Sequence, residues 1–331
     1  MKILNRKLLQ DEYNSILSES GLKKLGTGFK GLDLEKTLVV QSTSGSQGHP
    51  LLIPRLIDDV TDIALRVLKH YKSHFDEYPT KIGMIGGISH VEAATSLNVG
   101  RINIRHFDQD SFEDLLNWQP EVITCYPSVL RELIFLYGSN LKFVKAVKVG
   151  GEKLFPSDCE RIFRISPGAL VIEQYGSTEL PALAIRSFSQ ASFKYEGIQI
   201  QKAFTLQKER FTFLEIPDSG WKPIIAKDNF SNLAFKLREY YDIGDEGYWK
   251  SGDLYDVRRA TEPEFMYWET IERFLKMGFI NAQISLSNSQ ITVHGDIQCN
   301  SELDIEGKIF SVKRGQVVRL TNSKKVPLVI K

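Results

Sequence analysis

The spacing of apolar positions changes along the chain, and each change marks an element. Residues 56–75 carry Leu56, Ile57, Val60, Ile63, Ala64, Val67 and Leu68, the stripe of an amphipathic helix. Just before it, Lys36–Gln41 is a short β-prone run. It gives way to Ser42-Thr-Ser-Gly-Ser-Gln-Gly-His-Pro50, too small and polar for a core strand, and so a loop with available backbone amides. From residue 81 the pattern alternates. The runs 81–85, 101–104, 122–126, 144–149 and 169–173 predict strands. The segments 91–98, 110–118, 128–137 and 156–163 predict helices, with Pro127 near the start of the third. This alternation predicts an α/β unit with substantial parallel pairing. After about residue 190 the runs 211–216, 221–225 and 233–237, separated by short turns, predict an antiparallel or barrel-like layer. The expected organisation is a core over 1–278, α/β to about 190 and β-rich from there to 278. A β-rich tail over 279–331 follows, turning at Gly295, Gly307 and Gly315.

Composition narrows the function classes. Of 331 residues, 42% are hydrophobic and 25% charged, as in a globular protein. A net charge of +1 argues against a broad nucleic-acid footprint, so no nucleic-acid partner is expected. No run approaches the roughly 18 apolar residues of a membrane span, and the first residues lack the apolar stretch of a signal peptide. The expectation is a soluble cytoplasmic protein with no membrane partner. Cys125, Cys159 and Cys299 are odd in number and far apart, which predicts reduced, packed thiols. His70 and His74 share helical spacing, but no Glu follows His70 as a zincin needs, so they read as a solvated helix face.

Three stretches have the composition of a chemical site. The loop Ser42, Thr43, Ser44, Gly45, Ser46, Gln47, Gly48 suits a phosphate cradle, since small residues let amides approach an anion; alone it reads equally as a surface turn. Tyr175-Gly-Ser-Thr178-Glu179 follows a predicted strand and combines an aromatic face, hydroxyls and a carboxylate, suited to base stacking, phosphate contact and Mg²⁺. Gly247-Tyr-Trp-Lys-Ser-Gly-Asp253 puts a carboxylate in a tight turn, where it could accept both hydroxyls of a ribose or lie in solvent.

In this order the stretches resemble the adenylate-forming, AMP-binding superfamily of acyl-CoA synthetases, aryl-acid ligases and peptide-synthetase adenylation domains. The likeness is greatest to phenylacetate–CoA ligase and its relatives. Ser42–Gly48 resembles the phosphate loop, with His49 where a Lys usually stands before the proline. Val149-Gly-Gly-Glu152 resembles the turn beside the adenine, Tyr175–Glu179 the Tyr-Gly-x-Thr-Glu motif, and Trp249–Leu254 the Thr-Gly-Asp motif. Gly86-Gly-Ile-Ser-His90 and Cys125-Tyr-Pro-Ser128 resemble segments of the phenylacetate ligase branch.

The resemblance implies an α/β adenylate-forming core that activates a carboxylic acid with ATP and Mg²⁺. The acid, with aryl acids preferred, then passes as acyl-adenylate to the thiol of CoA or of a carrier protein's phosphopantetheine. It implies that Ser42, Thr43, Ser44, Gly45, Ser46 and Gly48 surround the phosphates. Gly151 and Glu152 border the adenine, and Tyr175 packs on its face. Thr178 contacts the phosphate, Glu179 holds Mg²⁺, and His90 and Tyr126 line the acid pocket. Asp253 is preferred as the ribose ligand, because its distance to residues 265–276 suits the family's following strand and hinge. Asp245, in Arg238-Glu-Tyr-Tyr-Asp-Ile-Gly-Asp245, is the competing position.

At the hinge, Glu269 and Thr270 stand where the family has Gly-Arg, although Lys276 and Gly278 remain; Arg273 is a candidate substitute. About 50 residues follow Gly278. This implies a reduced lid, with Lys325 as the candidate for the lysine that contacts the α-phosphate. The alternative reading is a nucleotide- or acyl-binding subunit that needs a separate lid protein.

Overall fold

The computed structural model describes residues 3–4, 38–42, 52–86, 100–108, 111–229, 239–260, 266–295, 301–305, 307–318, 326 and 328–330. A hairpin of β1 (Leu38–Ser42) and β2 (Leu52–Leu56) leads directly into α1 (Ile57–Phe75). The α/β unit follows as β3 (Lys81–Met84), β4 (Asn103–His106), α2 (Phe112–Trp118), β5 (Val122–Cys125), α3 (Pro127–Tyr137), β6 (Ala146–Gly150), α4 (Pro156–Ile165), β7 (Leu170–Tyr175), β8 (Ala184–Ser189) and β9 (Thr205–Leu206). Its strands form one seven-stranded sheet in the order β9-β8-β7-β6-β5-β3-β4. Strands β3 to β7 pair in parallel, while β8 and β9 are antiparallel additions.

Both faces of this sheet are buried, which explains why its strands read as continuous apolar runs. Ile123, Val147, Val149 and Val171 face a core shared with α2, α3 and α4. Ile82, Val122, Ala146, Leu170 and Ile172 face the other way, against Val67, Leu68 and Tyr71 of α1. The predicted alternation is therefore correct in type. The strand expected at 101–104 lies at 103–106, because its ladder begins where Asn103 meets Lys81 of β3. The predicted helix 91–98 and strand 233–237 fall outside the described residues. Cys125 and Cys159 are buried free thiols, as expected.

The second layer is antiparallel. It contains β10 (Phe211–Phe213), β11 (Ser219–Asp228), β12 (Tyr240–Lys250) and β13 (Asp253–Arg259), with Ile3–Leu4 parallel to β12. The run expected to continue to Ile216 stops at Phe213, short of the turn containing Pro217. Helix α5 (Trp268–Lys276) then leads into a five-stranded sheet of β14 (Asn281–Ser285), β15 (Gln290–His294), β16 (Ser301–Ile305), β17 (Lys308–Arg314) and β18 (Val329–Ile330). Phe274, Leu275, Phe279, Ile284, Ile291, Phe310 and Phe155 share one core, so α5 and the last sheet pack as a unit on the start of α4. Arg131 of α3 seals that junction, held by both oxygens of Asp158 (2.7 and 3.0 Å) and by Asn281 Oδ1 (2.9 Å). No helix among the described residues is long and apolar enough to cross a membrane.

Candidate active site

Strands β3, β5, β6 and β7 run in parallel, so their carboxyl ends share one edge of the sheet. Off that edge come Gly86, Tyr126, Gly151–Glu152 and Tyr175–Glu179. In open α/β sheets this is the edge where ligands bind.

The Tyr175–Glu179 segment is shaped by its own backbone. A Cβ on Gly176 would lie 2.5 Å from the Leu180 carbonyl oxygen, so only glycine permits the turn. The turn is closed by Ser177 N–H donating to the Leu180 carbonyl (3.2 Å) and Leu180 N–H donating to Ser177 Oγ (3.2 Å). Glu179 is only 6% exposed, yet among the described residues no cation pairs with its carboxylate; Tyr241 donates one hydrogen bond to it (3.1 Å). A buried carboxylate in that state needs compensating positive charge. It is a hard oxygen donor suited to a divalent ion that takes its other ligands from phosphate and water. The residues present therefore fit Mg²⁺.

Arg55 joins the hairpin to this segment. Its guanidinium, on β2, donates to the carbonyls of Thr178 (2.7 Å) and Glu179 (2.9 Å), to Gln41 (3.1 Å) and to Asp59 (2.8 Å). Because Ser42 pairs with Leu52, residues 43–51 are the connection of this hairpin, and Arg55 fixes its base beside Glu179. Sequence reasoning missed Arg55; the one signal was a lone guanidinium in the apolar run Leu-Ile-Pro-Arg-Leu. The backbone of Ser42 ends β1. Thr43, Ser44, Gly45, Ser46, Gly48, His90 and Lys325 lie outside the described residues.

Of the two candidate carboxylates, Asp245 is the one brought to Tyr175, while Asp253 lies away from it. Strand β12 bulges there: Asp242 faces Ile225 and Glu246 faces Pro223, leaving three residues of β12 against one of β11. Gly244 takes the left-handed conformation this needs (φ 79°), and the bulge re-aims Asp245. Tyr175 OH donates to Asp245 Oδ2 (3.0 Å), and Arg259 lies 2.9 Å from Oδ1. Burial, aided by the Asp245 charge, pushes the Tyr175 phenol well up, so it stays a donor. Asp253 instead follows a two-residue hairpin turn in which Ser251 (φ 53°) and Gly252 (φ 77°) both have positive φ. It is exposed and pairs with Lys250, five strand residues or about 17 Å along β12 from Asp245.

Glu152 and Tyr126 sit where the strand ends predict. Glu152 accepts from Ser128 N–H (2.8 Å) and Oγ (2.9 Å), holding the first turn of α3, and from Val326 N–H (2.8 Å). Gly151 has φ 77°, and Tyr126 is half-buried at the start of α3. No group of three His, Cys, Asp or Glu residues suited to a metal occurs among the described residues.

No family model matches the sequence, and no curated protein matches it. Solved structures do. A 2-hydroxyisobutyryl-CoA ligase in the postadenylation state with 2-HIB-AMP matches at TM-score 0.62 and 11% identity, covering 100% of this chain and 79% of that one. This is the adenylate-forming fold. IdnL7 matches at TM-score 0.59 and 14% identity, over 83% of this chain and 63% of that one. The ATP-bound RpMatB-BxBclM chimera B1 matches at TM-score 0.54 and 14% identity, over 86% and 65%. The expected fold class, an adenylate-forming α/β core with parallel and antiparallel sheets, agrees with these structures.

Proposed function

We propose that this chain activates a carboxylic acid with ATP as an acyl-adenylate and transfers the acyl group to a thiol, of CoA or of a carrier-protein phosphopantetheine. The observation that carries the reading is the meeting of three elements at one sheet edge. Glu179 and Tyr175 stand at the end of β7, Asp245 arrives on the β12 bulge, and Arg55 ties the β1–β2 hairpin to the Glu179 backbone.

In this reading a carboxylate oxygen of the acid attacks the α-phosphorus of ATP, the bond to the β-phosphate breaks, and pyrophosphate leaves. Ser42, Thr43, Ser44, Gly45, Ser46 and Gly48 offer amides and hydroxyls to the phosphates, and Thr178 offers a hydroxyl to the α-phosphate. Asp245 accepts the ribose hydroxyls, with Tyr175 fixing its orientation, while Gly151 and Glu152 border the adenine. Glu179 would hold Mg²⁺, which would supply positive charge to offset that of the leaving pyrophosphate. Tyr126 and His90 line the acid pocket. The thiol then attacks the acyl carbon, loses its proton, and AMP departs.

Lys325 is the proposed lysine contact to the α-phosphate. Its neighbour Val326 donates its N–H to Glu152. The experiment is a panel of carboxylic acids with ATP and Mg²⁺, scored by pyrophosphate release. Acid-dependent release is expected. ATP binding without release from any acid would favour the alternative, a nucleotide-binding subunit completed by a separate lid protein.

A further inference from the structure

The candidate nucleoside site is split between two layers. Gly151 and Glu152 lie in the turn after β6, on the α/β sheet, whereas Asp245 belongs to β12 of the antiparallel layer. The direct bond between the two sides, from Tyr175 OH to Asp245 (3.0 Å), is made by groups that themselves meet the nucleotide in the reading above. The residue after Glu152 joins the same two layers away from the ligand. Lys153 Nζ donates to both oxygens of Asp256 on β13 (2.7 and 2.5 Å). The two side chains are 8% and 9% exposed, so the pair is closed to solvent. Trp268, at the start of α5, covers the ammonium with its ring centre 4.1 Å away. The Lys153 carbonyl accepts from Arg131 (3.4 Å), which Asp158 and Asn281 hold in turn.

One residue thus joins the turn to β13, α5 and α3. Asp256 stands opposite Tyr248 of β12, and the ladder runs unbroken from there to Asp245 opposite Arg259. Asp245 is three residues along β12 from that point, about 10 Å away. Where Lys153 holds Asp256, it therefore also sets where the bulge presents Asp245. Arg186 makes a second tie between the layers, from β8 to the Tyr255 carbonyl (2.9 Å), with Glu173 as its counter-ion (2.6 Å). It leaves from the body of a strand, whereas Lys153 leaves from the turn itself. A buried ion pair contributes little more stability than an apolar pair of the same volume, but its hydrogen bonds are directional.

We propose that Lys153 is a positioning residue: its ion pair with Asp256 fixes the spacing between the Gly151–Glu152 turn and Asp245, and so sets the affinity for the nucleoside part of ATP. This rests on the acid-activation reading above, which puts adenine and ribose at those residues. Lys153 acts through Glu152 on one side and through the β12–β13 ladder on the other. The nucleoside does not react, so the binding it supplies is the same in ground and transition states. Its loss raises KM and leaves kcat in place.

The test uses the full chain as wild type, Lys153→Met, Lys153→Arg and the double variant Lys153→Met with Asp256→Leu. Calorimetry measures ATP and AMP binding, pyrophosphate release is followed over the acid panel, and urea gives each unfolding midpoint. Lys153→Met leaves Asp256 buried and uncompensated, so its midpoint should fall and its nucleotide affinity should drop about tenfold. The double variant replaces the ions with an apolar pair and should recover the midpoint. It should still bind ATP and AMP about tenfold more weakly, by equal factors, with kcat and the KM for the acid within about threefold of wild type. Lys153→Arg keeps a charge and hydrogen bonds for Asp256 and should recover most of the affinity. Nucleotide affinity that recovers with the midpoint in the double variant would overturn the proposal, as would a fall in kcat at unchanged KM for ATP. Wild type that binds ATP but releases pyrophosphate with no acid would overturn acid activation, while the binding series would still decide the role of Lys153. Wild type that binds neither ATP nor AMP would overturn both.

Discussion

At the scale of single residues, the two candidate ribose ligands show how local context separates similar sequences. Gly244-Asp245 and Gly252-Asp253 are the same dipeptide, and both glycines have positive φ. One glycine makes a bulge that aims its aspartate at Tyr175; the other makes a turn whose aspartate faces solvent. Removing a charge-assisted hydrogen bond from inside a cleft costs roughly 1.5–3 kcal/mol, which is about ten- to hundredfold in affinity. Asp245→Ala is therefore expected to weaken ATP binding by that factor, and Asp253→Ala clearly less, as calorimetry would show. Glu179→Ala should lower the rate of pyrophosphate release on the order of 10² while changing acid binding little. An equal loss of acid affinity would place Glu179 in the acid pocket. Tyr175 and Glu179 were legible because their motif directly follows a strand. Arg55 was not, because an isolated charge in a strand reads as an outward-facing position until the distant carbonyls it reaches, of Thr178 and Glu179, are known.

At the scale of elements, the strand and helix alternation was legible to within a few residues, since both sheet faces are buried and the period is unbroken. Strand order was not, because pairing depends on which ends meet in space. The hairpin is the element on which the site depends most. Arg55 reaches from β2 across the chain to the Thr178 and Glu179 carbonyls, and it shares Asp59 with the buried Arg210, itself paired with Asp228 (2.6 Å). Removing one partner from a buried charged network leaves the others unsatisfied, at about 3–5 kcal/mol. Arg55→Met should lower stability in urea by that order and raise the KM for ATP, because the base of the 43–51 connection is released.

The far edge of the sheet gives a pH-dependent case. Burial pushes the Glu121 carboxyl up, but Lys145 and the Thr80 N–H and hydroxyl outweigh it and hold it at about 2. A folded pKa below the unfolded one contributes stability that is present above about pH 4.5 and lost as pH falls toward 2. The pair is partly exposed, so screening reduces its contribution to about 1 kcal/mol. Wild type and Glu121→Gln should thus differ by that amount at pH 7, and the two unfolding curves should converge as the pH is lowered from 4.5 to 2.

At the scale of the whole molecule, the tail after Gly278 read as a β-prone lid that could swing or be dispensable. Its described residues form five strands, but the sequence could not reveal which face they cover. In the structure Phe279, Ala282, Ile284, Ile291, Val293, Phe310 and Val312 are buried against α5 and Phe155, and Asn281 completes the coordination of Arg131. Each such side chain contributes about 1.5–3 kcal/mol on burial. A handful of them equals the 5–15 kcal/mol that typically separates a folded domain from its unfolded chain. Truncation after Gly278 should therefore expose the apolar face of α5 and strip Arg131 of a partner. The expected product binds a hydrophobic dye, loses its cooperative unfolding transition and forms no pyrophosphate. Lys325→Ala, in contrast, should unfold normally and keep its ATP affinity, with adenylation reduced if Lys325 reaches the α-phosphate. A truncated chain that unfolds cooperatively with an unaltered midpoint would show that the last sheet is a separable lid after all.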